Sequence, residues 1–152
     1  MPQKRRSQGR QAAWLENLVW PEQSDRLLRI QTAMKIAAAT KPRVLKGSLL
    51  GDDLARLCDE APKVATLVVF HTAVLAYVPE REHREAFAER VMQICPFWVS
   101  NESPDVFPDV ASRAGVNSRS DRFLLSVNGS PVAWTEPHGA AIEWIAEGIV
   151  LA

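Results

Sequence analysis

The chain has 152 residues, 47% of them hydrophobic, which is enough for one domain with a core of its own. Its 18 Lys and Arg residues balance 18 Asp and Glu residues, which excludes a protein held to nucleic acid or to an anionic membrane by net charge alone. The longest uncharged stretch, Val64 to Pro79, has His71 inside it and falls short of the roughly 20 apolar residues that span a bilayer. No apolar stretch follows Lys4-Arg5-Arg6, as a secretory signal requires, and two cysteines, Cys58 and Cys95, make no disulfide framework. The expectation is a soluble cytoplasmic protein.

Residues 1–10 carry basic groups, no acid and little apolar surface, a composition that cannot offset the entropy of ordering. They are expected to be a disordered basic tail, with residues 11–152 forming a single α/β domain. Trp14, Leu15, Leu18 and Val19 give a short helical pattern that stops at Trp20-Pro21. A second helix is predicted to start at Pro21 and continue through Leu27, Leu28, Ile30, Met34 and Ala38 to Thr40. Arg43 to Lys46 reads as a short strand. Gly47-Ser48 opens a helix through Leu54 and Cys58 that ends at Ala61-Pro62.

The clearest strand is Val64 to Phe70, a β-branched run without alternation, expected to be central and buried on both faces of a parallel sheet. A helical turn over Ala73 to Val78 and an amphipathic helix from Pro79 through Phe87, Val91 and Ile94 lead to a strand at Phe97 to Ser100. Strand, helix and strand make a βαβ unit. Ser103 to Asp121 shows no helical period and reads as a loop. Phe123 to Val127 and Pro131 to Trp134 flank Asn128-Gly129, a strong hairpin signal, and Ala140 to Trp144 adds a third strand after a turn at His138-Gly139.

In open α/β sheets, ligands bind outside the carboxyl ends of the strands. His71 ends the first strand of the βαβ unit, and Asn101-Glu102 ends the second. Neighbouring strands lie about 4.8 Å apart, so His71, Asn101 and Glu102 are expected to share one crevice. His71 then serves as general base or orienting donor, Glu102 as base or acceptor, and Asn101, with Tyr77 nearby, as a substrate contact. The structural alternatives are a buried histidine satisfied by backbone groups, a solvated carboxylate and a turn amide. The loop Ser103 to Asp121 offers no crossover helix, so the following strand should return antiparallel and bring His138 to the same edge as a third catalytic candidate. Cys58 and Cys95 have no histidine at metal spacing and read as core thiols, so no metal site is expected. The five tryptophans alternate with aliphatic residues, not with Lys or Arg, and read as core and rim packing without nucleic-acid contact.

Four blocks also resemble, in order and approximate spacing, a family of bacterial proteins known as domain of unknown function family 2332: Leu18-Val19-Trp20-Pro21-Glu22-Gln23 with Arg26-Leu27, Val68-Val69-Phe70-His71-Thr72-Ala73-Val74-Leu75, Trp98-Val99-Ser100-Asn101-Glu102 and Pro137-His138-Gly139. The resemblance implies a Rossmann-type, methyltransferase-like fold. It further implies that this chain matches the C-terminal part of a longer domain, with a partial sheet made of the βαβ unit and a C-terminal antiparallel hairpin or meander. The family-length protein would then be the one to hold S-adenosylmethionine. This chain has no G-x-G-x-x-G turn and is not expected to bind the cofactor alone. The expected function is the substrate-side crevice of a small-molecule enzyme. The alternative is a noncatalytic remnant or interaction module that self-associates through an exposed sheet edge.

Overall fold

The computed structural model describes residues 13–115 and 121–145; the predicted tail at residues 1–10 lies outside them. The chain divides into two compact units, Met1–Lys46 and Gly47–Ala152. In the first, residues 13–17 are helical and helix α1 covers Ser24–Thr40. It begins three residues beyond Pro21, because Trp20 to Gln23 form a turn closed by the Gln23 N–H on the Trp20 carbonyl. It ends where Lys41 takes φ 48 and returns its N–H to Ala37, a left-handed C-cap. Arg43 to Lys46 is not a strand but irregular chain that follows the left-handed end of α1 and Pro42.

The second unit is built on a five-stranded sheet in the order β1 (Val68–Thr72), β2 (Phe97–Glu102), β3 (Phe123–Val127), β4 (Ser130–Thr135) and β5 (Ile142–Trp144). β1 and β2 are parallel, and every later pair is antiparallel. The βαβ unit, the antiparallel return and the terminal strand of the meander are therefore as expected. Helix α2, Asp53–Asp59, starts later than Gly47-Ser48. Ser48 is used in the preceding turn, where its N–H donates to Asp53 Oδ2 and its hydroxyl accepts from the Leu50 N–H. Helix α3, Arg81–Ile94, is the crossover, preceded by a 3-10 turn at Leu75–Tyr77.

Two further expectations are overturned. Val64 to Phe70 is not a central strand buried on both faces: Val64 is 98% exposed and precedes the strand, Phe70 is 64% exposed, and β1 stands at the edge of the sheet with β2 as its one partner among the described residues. Burial on both faces needs a layer on each side, and the residues α3 buries pack with Trp98 on one face only. Second, the segment Ser103 to Asp121 contains a helix, α4, at Pro108–Arg113. Pro108 at its first position and Asp109 in its first turn start it, and six residues are too few to reveal a period.

The covered face holds one core cluster of Leu75, Phe87, Ala88, Val91, Cys95, Trp98 and Val106, with Leu54, Leu67, Val69, Val78 and Phe107 packed around it. Trp98 and Trp134 are buried, whereas Trp14, Trp20 and Trp144 are exposed, so packing accounts for two of the five tryptophans and not for those three.

Candidate functional site

The site grows from the carboxyl ends of β1 and β2. In the parallel register His71 stands opposite Ser100 and Thr72 opposite Asn101. Alternation along the strands sends Val69, His71, Trp98, Ser100 and Glu102 toward the helices, and Phe70, Thr72 and Asn101 toward the other face. His71 and Glu102 are both buried, and His71 Nδ1 lies 2.7 Å from Glu102 Oε1. The expected crevice partners do meet, as a contact between interior side chains.

Glu102 Oε1 also accepts the backbone N–H groups of Val74 and Leu75, at 2.9 and 3.1 Å. The carboxylate thus holds the start of the 3-10 turn against the end of β2. Burial pushes its pKa up, but the hydrogen bonds from His71, Val74 and Leu75 together outweigh burial and hold it below the usual carboxylate value.

The other ring nitrogen of His71 is occupied too. Trp98 Nε1 lies 3.0 Å from His71 Nε2, and an indole N–H can only donate. His71 Nε2 is therefore the acceptor, its proton is on Nδ1, and Nδ1–H donates to Glu102. Protonating Nε2 would set two N–H groups against each other, so this contact is a hydrogen bond from a neutral imidazole and not an ion pair. Phe87 meets the imidazole edge-on at 5.5 Å, and Trp98 lies near-parallel at 5.9 Å. The sequence reading did not single out Trp98. Its signal was its place on the next strand, on the same face as His71.

Asn101 belongs to the opposite face. Its Nδ2–H donates to Thr72 Oγ1 at 3.3 Å, and its Oδ1 accepts from Thr135 Oγ1 at 2.8 Å, so the amide bridges the ends of β1, β2 and β4. Its backbone carbonyl receives the N–H of Ala73, which sits at φ 50, a left-handed conformation that alanine adopts at a cost. Such strain concentrates at ligand-handling turns. Tyr77, at the end of the 3-10 turn, is 87% exposed.

The backbone of His138 lies in the 3-10 turn Pro137–Gly139. β4 runs in the same direction as β2, since each is antiparallel to β3, so the turn that follows β4 stands at the sheet edge that carries the ends of β1 and β2. The His138 side chain lies outside the described residues. Among the described residues no group of His, Cys, Asp or Glu could hold a metal ion, and none of the helices is long and apolar enough to cross a membrane. Cys95 is buried, and burial pushes the Cys58 thiol pKa up, which makes it a poor nucleophile.

The residues at this edge do not fit S-adenosylmethionine. An adenosyl ribose needs an outward carboxylate and a glycine turn that lets backbone approach. Here Oε1 of Glu102 is engaged three times, Oε2 is buried, and Ala73 occupies the turn after β1.

A family model described as "Uncharacterized protein conserved in bacteria (DUF2332)" matches residues 6–144. Neither a curated protein nor a solved structure matches.

Proposed function

The chain belongs to the bacterial family DUF2332, and from the geometry at its strand ends we propose that it binds a small molecule at the carboxyl ends of β1 and β2. The observation that carries this reading is Ala73, held left-handed beside an amide that joins Thr72 to Thr135. Asn101 keeps one N–H beyond its bond to Thr72 and is the positioning donor. Tyr77 is the adjacent contact, and the turn that carries His138 follows β4 at the same end of the sheet. On this reading Glu102 and His71 act through the backbone: they fix the Val74-Leu75 turn from below and do not reach the ligand.

The finer proposal is the substrate-side crevice of a methyltransferase-like enzyme. Its support is a parallel strand pair joined through a helix and followed by antiparallel strands. A doubly wound sheet would continue beyond β1, whose outer edge has no partner strand among the described residues.

Thermal shift tests the site. The full chain and Asn101→Ala are screened against S-adenosylmethionine, S-adenosylhomocysteine and a panel of small acids, amines and alcohols. A ligand at 100 times its Kd adds about 2.7 kcal/mol, a clear rise in Tm. The expected result is a rise in the wild type that Asn101→Ala loses. A ligand that raises both equally, or a panel that moves neither, overturns the assignment.

A second reading, the interaction module, is favoured by one observation: Val68, Phe70 and Phe97 are exposed side by side on the edge pair of the sheet.

A further inference from the structure

The inward face of the sheet is apolar at Trp98 and Leu124, yet two serines interrupt it. Ser100 and Ser126 are directly opposite one another across β2 and β3, and both are almost fully buried. Two residues beyond Ser100 on the same face is Glu102, whose Oε2 is buried with no hydrogen-bond partner. Ionised carboxylate oxygens removed from water without a donor are costly, and three donors on Oε1 do nothing for the lone pairs of Oε2.

These three side chains line a common cavity with Ser103, Phe107 and Leu124. Its volume is about 10 Å³, and roughly 10–15 Å³ holds one water molecule, which needs two to four polar partners. We propose that Glu102 Oε2 and the hydroxyls of Ser100 and Ser126 bind a single buried water. Water donates to the carboxylate oxygen and accepts from a serine hydroxyl, which completes the coordination of Glu102 and explains why serine stands at two inward positions beside it. A substrate-sized ligand does not fit the space, so this site is separate from the Asn101 edge.

A crystal structure of the full chain that resolves solvent tests the site directly. One density peak about 2.7–3.0 Å from Oε2 and in reach of a serine hydroxyl is the expected result. A collapsed cavity, or Oε2 paired with a protein donor, overturns it. A crystal soaked in a rubidium salt distinguishes water from a monovalent cation: no anomalous peak supports water, and a peak at the site overturns it. In Ser126→Ala, which keeps the volume and drops one partner, the density is expected to weaken and the Glu102 carboxyl to titrate at higher pH by NMR. An unchanged peak and titration remove Ser126, and with it the proposed site.

Discussion

Glu102 ties its own strand β2 to a stretch 27 to 31 residues earlier, holding the end of β1 through His71 and the turn that follows it through Val74 and Leu75. Removing the carboxylate leaves three donors unsatisfied, each costing about 1–3 kcal/mol when buried, although local relaxation keeps single-residue effects above about 5 kcal/mol rare. Glu102→Ala is therefore expected to lose about 3–5 kcal/mol in urea unfolding at pH 7. Glu102→Gln keeps an acceptor at Oε1 and is expected to lose about 1–2 kcal/mol. Equal losses would show that the cradle is not what Glu102 supplies. The same carboxylate sets a pH dependence. Its folded pKa lies below the ordinary 4.5, so its stabilising contribution is present above the unfolded value and is lost as pH falls through the folded one. The stability gap between wild type and Glu102→Gln should accordingly narrow as pH falls from above the ordinary 4.5 through the lowered folded value. A constant gap across that window would contradict the hydrogen-bonded anion. Sequence reasoning could see His71 and Glu102 meet, because strand ends and a short spacing suffice. It could not see that Trp98 takes the second nitrogen of His71, or that Oε2 lies beside two serines, because those facts depend on side-chain direction across a register that was not yet known.

At the level of elements, the hairpin is the best-specified piece. Asn128 at φ 48 and Gly129 at φ 75 need the left-handed region that Asn-Gly tolerates. Asn128 does more than turn the chain: its Oδ1 accepts the Trp98 N–H at 2.8 Å, its Nδ2 donates to the Pro96 carbonyl, and its own N–H donates to the Trp98 carbonyl. The turn after β3 therefore clamps the start of β2. Asn128→Gly relieves the backbone and loses the clamp, whereas Asn128→Ala loses the clamp and adds left-handed strain of about 1 kcal/mol. Alanine is expected to cost about 2–3 kcal/mol and glycine about 1–2 kcal/mol by thermal or urea unfolding. A glycine variant as unstable as alanine would mean the side-chain bonds alone matter. The dipeptide made the turn legible, but the bond to β2 was not, since it joins residues 30 apart. The misplaced starts of α1 and α2 share a cause, since Pro21 and Ser48 are good helix starters that this chain uses for turns instead, whereas α4 was missed because its six residues are too few to show a period.

At the scale of the molecule, the feature that matters most is the edge at β1. Its strand Val68–Thr72 carries no charge, proline or lysine, the usual devices against edge pairing, and Val68 and Phe70 lie on a face that the described residues leave open. The apolar run in the sequence correctly indicated a strand but wrongly indicated its burial, because composition reports what a strand could bury and not whether a second layer is there to bury it. One consequence is that Val68→Asp is expected to fold: at 51% exposure on an edge strand, a charge there keeps water and costs little in urea unfolding, within about 0.5 kcal/mol as at other surface sites. A second concerns association. Two copies can pair β1 with β1 antiparallel about a two-fold axis, each supplying the same edge to the other, and bring Val68 and Phe70 of both chains together. Light scattering of the full chain over a hundredfold range of concentration is expected to show mass rising at micromolar levels. Val68→Lys, which is expected to unfold at the same urea concentration as the wild type, should suppress the rise. Monodisperse monomer in the wild type, or association that Val68→Lys leaves intact, would show that this edge is not the surface through which the chain meets its own copies.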